Sequence, residues 1–183
     1  MRFLFLSEIK IEFCSKDDEM KTIEKATIAS LEAVMRIYED ARAYMRSTGN
    51  ATQWAGGYPS EALIRENMEK GNFYLCLDDG EIVGVFYFAM ENDPTYERIY
   101  EGAWLSDEPY AVIHRIAVSR DSHGKGVAAF IFDSCFAKCP NLRIDTHRDN
   151  LPMQRALEKR GFVRCGIIYL ANGDERIAFQ RIC

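Results

Sequence analysis

A chain of 183 residues, 48% of them apolar and 28% charged, can bury one substantial core and has the balance of an ordinary soluble domain. Its net charge of −5 gives no electrostatic footing for nucleic acid or for an anionic membrane, and no apolar run approaches membrane-spanning length. Six cysteines without a CxxC pair, several inside apolar runs, read as small buried hydrophobes of a reduced, cytoplasmic protein with no metal.

In chain order, residues 1–20 read as an N-terminal extension. Ile9, Ile11 and Phe13 alternate with charges there, which fits either a short strand or a loosely held terminus. Residues 21–183 then read as a single domain. A strand is predicted from Thr22 to Ala26, and Ser30 is expected to cap a long helix whose apolar stripe includes Leu31, Val34, Met35, Tyr38, Ala41 and Met45. Gly49-Asn50 ends it. Gln53-Trp54 to Tyr58-Pro59 has loop chemistry, and Ser60 caps a second helix that closes at Gly71. Phe73–Leu77 and Ile82–Met90 flank the turn Asp78-Asp79-Gly80 as a hairpin, and a polar, tyrosine-rich connection leads to the strand Ala111–Val118. Beyond it come a helix from Val127 to Lys138, the strand Leu142–Thr146, and a short helix opened by Asn150-Leu151-Pro152 and stopped by Gly161. The strands Phe162–Leu170 and Glu175–Arg181 close the chain around the turn pair Asn172-Gly173.

The most informative stretch is His123-Gly124-Lys125-Gly126-Val127-Ala128, which lies between a strand and a helix. A glycine-rich loop in that position turns backbone N–H groups and the positive end of a helix dipole toward one point, a seat for phosphate or pyrophosphate. The alternative is a tight strand-to-helix turn that binds nothing. Together with Asn150, Met153 and the Gly161-Phe162 stop, at this separation and on these elements, the loop resembles that of the GNAT acyl-CoA-dependent N-acetyltransferases. The resemblance spans roughly Thr22 to Arg181, with His123 standing where the family usually has Arg or Gln.

The resemblance implies an α/β (α+β) fold, a mixed, mostly antiparallel sheet flanked by helices with a splayed central strand pair. Ala111–Val118 and Leu142–Thr146 would be that pair, opening to admit a pantetheine arm along Ile116, Ala117 and Val118. Positions 123–128 (His123, Gly124, Lys125, Gly126, Val127 and Ala128) would hold pyrophosphate, with Asn150 and Met153 beside the arm. The implied activity is transfer of an acetyl group from acetyl-CoA to a primary amine of a small molecule or peptide by direct attack in a ternary complex. A homodimer is left open.

The glutamate that many relatives place on this strand would fall on Val112, and the tyrosine that protonates the leaving thiolate would fall on Leu157, so both roles are empty. His114 lies two residues on from Val112, hence on the same face of a regular strand, and its imidazole suits a base near neutral pH. Asp145 and His147 share a face at the end of the partner strand, where they either line the site or make ordinary strand-end hydrogen bonds. Trp54, Tyr58 and Trp104 are expected to wall the acceptor pocket or to form a satellite core under loops. Two rivals remain: a non-catalytic acyl-CoA sensor, and a Rossmann-type dinucleotide site built on Gly124, Gly126 and Asp145. The second needs its glycines directly after the strand and further βα units, and the sequence has neither.

Overall fold

The computed structural model describes residues 21–183; the sequence readings on residues 1–20 lie outside the described residues. Seven strands, β1 (Lys21–Lys25), β2 (Phe73–Asp78), β3 (Glu81–Met90), β4 (Ala111–Val118), β5 (Asn141–Thr146), β6 (Val163–Tyr169) and β7 (Glu175–Ile182), form one sheet in the order β1-β2-β3-β4-β5-β7-β6. Every neighbour is antiparallel except β4 and β5. Helices α1 (Leu31–Ser47) and α2 (Glu61–Glu69) pack on one face, and α3 (Val127–Lys138) and α4 (Leu151–Lys159) on the other.

The helices form where apolar spacing predicts them, and each buries that stripe. Leu31, Val34, Ile37, Tyr38 and Ala41 of α1 join Val85, Tyr87, Val112 and Ala117 in one layer. On the opposite face Val127, Phe130, Ile131 and Cys135 of α3 and Leu157 of α4 meet Phe86, Ile113, Leu142 and Phe179. Gly84 permits the close seating of α3, since a Cβ there would lie 2.9 Å from Val127 Cγ1. The Ser60 hydroxyl caps α2 by accepting from Leu63 N. Ser30 does not cap α1. It already has helical dihedrals at the end of the 3-10 turn Ile28–Ser30, and its hydroxyl donates back to the Thr27 carbonyl.

Among the described residues no α-helix covers the α1-side face of β5, β6 and β7; the connection of residues 91–110 does so instead. Its Tyr96 is 1% exposed and packs with Ile168 and Ala178, while Tyr100 exchanges two 2.8 Å backbone bonds with Ile167 on the outer edge of β6. Gly102 comes so close that a Cβ would stand 1.9 Å from the Cys165 carbonyl oxygen. Arg143 of β5 lies in the same layer between Trp104 and Tyr110, its guanidinium carbon 4.1 and 4.0 Å from the two rings.

Two irregularities in the central strands shape the site. The first is a one-residue bulge on β4: Val85 pairs with Ala117 but Tyr87 with His114, so three steps on β4 face two on β3. Arg115 takes up the extra residue at φ +54°, a left-handed conformation that costs a side-chain-bearing residue about 1–2 kcal/mol, and the Tyr38 hydroxyl donates to its carbonyl at 2.6 Å. Faces therefore change parity. Ile113 and then Ile116 point to the α3 side, while Val112 and then Ala117 point to the α1 side. The second irregularity is the splay: β4 and β5 pair only at Ala111↔Leu142 and Val112↔Arg143, and then separate.

Candidate functional site

The splay and the glycine loop border one cavity of about 820 Å³, between α1, the N-terminal end of α3 and one side of α4. The open edge of β4 contributes Ile116, Ala117 and Val118, and the loop contributes His123, Gly124 and Gly126. Gly124 and Gly126 both have positive φ (+79° and +76°), and a Cβ built on either meets nothing within 4 Å, so the backbone there is open to a close approach. The first-turn N–H groups of α3, from Val127 onward, have no acceptor within their own helix and point into the same space. Arg155 and Lys159 of α4, and Arg160 just past its end, add positive charge at the rim. The residues present thus suit a phosphorylated, extended ligand lying along β4.

A second cavity of about 580 Å³ meets the first at Met45, Trp54, Ile116, Asn150 and Met153, which line both. Asn150 is placed by its own side chain: Oδ1 accepts from Met153 N to cap α4, and Nδ2 donates to Gln53 Oε1. Gln53 Oε1 also accepts from Asn50, so one amide oxygen ties the Trp54 loop to α4.

At the heart of the second cavity is His114, whose ring stands between two carboxylates. Nε2 lies 2.9 Å from Asp93 Oδ2, and Nδ1 lies 3.8 Å from Asp145 Oδ2. Asp93 Oδ1 is held by the N–H and hydroxyl of Thr95. Burial works to raise the Asp93 carboxyl, but the hydrogen bonds from His114 and Thr95 outweigh it and bring Asp93 down to about 2. An ionised carboxylate only accepts, so the neutral ring carries its proton on Nε2 and leaves Nδ1 as the basic nitrogen. Asp145 Oδ2 accepts from the Tyr96 hydroxyl at 2.8 Å, and Oδ1 is 4.0 Å from Arg176 Nε. Burial and the neighbouring Asp145 hold the Tyr96 phenol well above its ordinary value, so it stays a donor. Tyr87, pushed up to about 12 by burial and by Glu91, likewise donates to both Glu91 oxygens. Four carboxylates (Glu91, Asp93, Asp145, Asp174) against two guanidiniums (Arg115, Arg176) leave the walls net negative. Such a cavity draws in a cation and can take a proton from it.

A family model for the GNAT acetyltransferases matches residues 31–162, which include the splayed pair, the first cavity and most of the lining of the second. The chain belongs to the GNAT family. An acetyltransferase of this family from Streptococcus agalactiae is 32% identical, with 89% of this chain and 95% of that one covered at a TM-score of 0.83. A GNAT acetyltransferase from Listeria monocytogenes (20% identity, 87% and 92% covered, TM-score 0.64) and a putative acetyltransferase from Staphylococcus aureus (20%, 87% and 97%, 0.63) share the fold. No curated protein matches the chain.

The expected sites distribute unevenly over this GNAT fold. Ile116, Ala117, Val118, His123, Gly124, Gly126, Val127 and Ala128 all line the first cavity, whereas Lys125 does not. The His123 ring is exposed, with Nε2 3.2 Å from the Val118 carbonyl oxygen and the ring edge-on to Tyr44 at 4.6 Å. Trp54, Tyr58, His114 and Asp145 line the second cavity. Trp104 and His147 line neither. Trp104 packs at a tilt against Tyr96 and donates its indole N–H to the Tyr96 carbonyl. His147 accepts the Asp149 N–H on Nδ1 and meets Thr52 Oγ1 at 3.4 Å through Nε2, and burial, reinforced by Arg176, lowers its pKa. Missed from sequence were Glu91, Asp93, Arg115 and Arg176. Only Asp93 carried a signal, the turn-initiating run Asp93-Pro94-Thr95.

Proposed function

We propose that the chain transfers an acetyl group from acetyl-CoA to a primary amine of a small molecule or peptide, by direct attack within a ternary complex. The observation that carries this reading is the meeting of the two cavities at Ile116, Asn150 and Met153, which sets a thioester arriving along β4 against the Asp93–His114–Asp145 cluster. In this reading the loop and first turn of α3 hold the pyrophosphate, and the unpaired edge of β4 bonds the pantetheine amides as an added strand would. Asp145 attracts the ammonium form of the acceptor. His114 Nδ1 takes one proton to free the neutral amine, which attacks the thioester carbonyl, and Asp93 steadies the imidazolium that results. As the new C–N bond replaces the C–S bond, the second proton on nitrogen passes by way of water to the leaving thiolate, since Leu157, a buried side chain of α4, offers no phenol.

Incubation with acetyl-CoA and a panel of primary amines, scored by release of free thiol, tests the reading. Amine-dependent release supports it. Saturable stabilisation by acetyl-CoA with no release for any amine replaces it with a sensor.

A further inference from the structure

We infer that the acceptor carries a carboxylate beside its amine, and that Arg115 receives it; this rests on the transferase reading and names its substrate class. The bulge exists around Arg115, whose left-handed backbone is held by Tyr38 and whose guanidinium lines the acceptor cavity. Nε donates to the Tyr58 hydroxyl at 3.0 Å, and the guanidinium carbon lies 4.9 Å from the centre of the Tyr87 ring. NH1 is buried and has no hydrogen-bond partner, and no carboxylate lies within 4.0 Å of the group among the described residues. Every other arginine of this cavity has such a carboxylate: Arg176 faces both Asp145 and Asp174. A buried donor of this kind is costly unless an acceptor meets it, and a guanidinium fork suits a carboxylate.

The geometry also places this anion seat close to the base. The His114 ring centre is 6.1 Å from the same Tyr87 ring, so amine and carboxylate seats share one floor. Asn67, 5% exposed and lining the same cavity, has an unpartnered Oδ1 that can accept a further N–H from the ligand. A zwitterionic amino acid supplies both charges: the carboxylate to Arg115, and the ammonium to the net negative wall around Asp145. A diamine offers Arg115 a like charge.

The test uses matched pairs that differ only in the carboxylate, phenylalanine against phenethylamine and ornithine against putrescine, in calorimetric binding (with and without CoA) and in turnover with acetyl-CoA. Each amino acid should exceed its decarboxylated partner roughly 10- to 100-fold in affinity or kcat/KM. Arg115→Met should bring the ratio toward one, and Arg115→Lys should retain part of it. The ratio on the native protein decides even if a variant does not fold. Preferential, Arg115-dependent binding of the amino acid without thiol release keeps the carboxylate seat and removes the transfer reaction. Efficient acetylation of putrescine or phenethylamine with no preference for the amino acids keeps the transferase and overturns the seat.

Discussion

Replacing Asp93 with Asn tests whether this carboxylate fixes the ring of His114, and its size can be worked from the structure. Asp93 is brought from an unfolded value near 3.9 to about 2 by bonds that Asn cannot match as an anion. That difference corresponds to about 2.5 kcal/mol of stability, at about 1.4 kcal/mol per pKa unit. The pKa is depressed in the folded state, so the contribution is complete above about pH 5 and is lost as pH falls toward 2. Native protein should therefore exceed Asp93→Asn by about 2–3 kcal/mol at pH 6, and the gap should roughly halve by about pH 3. Urea denaturation of both proteins across this range measures it. A gap that is absent at pH 6, or that stays constant down to pH 3, refutes the assignment of Asp93 as an ionised partner of His114.

Gly126→Asp should leave the free protein folded, because a Cβ there meets nothing and Asp tolerates positive φ, but should abolish the thermal shift given by acetyl-CoA. The native protein at 100 times its Kd should gain about 2.7 kcal/mol, so a shift retained in the variant moves the phosphate seat elsewhere. His114→Ala should lower kcat/KM by roughly 10²–10⁴, with a smaller loss at high pH where the amine is already neutral; equal activity from pH 6 to 9 removes the base. Gly102→Ala forces a Cβ against the Cys165 carbonyl oxygen and should cost about 3 kcal/mol in urea denaturation. A near-neutral result there means that the 91–110 connection yields more easily than its contacts imply.

The parts legible in the sequence are those set by local pattern. The glycine loop, the Ser60 and Asn150 caps and the hairpin around Asn172-Gly173 follow from residues adjacent in the chain. The β4 bulge does not, because Arg115 at φ +54° violates local preference and is held there by Tyr38, 77 residues away. Counting alternate residues still puts His114 on the Val112 face, since both precede the bulge, but it fails for Ile116 and beyond. Asp145 needed β5 to splay before it could face His114, and Asp93 and Arg176 reach the cluster only through tertiary packing. Trp104 takes the second of its two expected roles: its ring covers Arg143 in the layer under the 91–110 connection and does not wall the pocket.

The two-pair contact between β4 and β5 makes the sheet behave as two rafts lashed at one corner. His114 and its Asp93 bond belong to the first raft, through β4 and the connection that follows β3, whereas Asp145 rides on the second. Spreading the rafts thus acts like opening scissors near the pivot. The 2.9 Å contact between Asp93 and the ring lies on the β4 side, and the 3.8 Å gap to Asp145 crosses the splay. The Tyr96 bond to Asp145 and the Tyr100–Ile167 backbone bonds tie the connection that carries Asp93 to the second raft. Substitutions in the lashing residues Ala111, Val112, Leu142 and Arg143 accordingly act on the site from its far end, chiefly through the separation that crosses the splay.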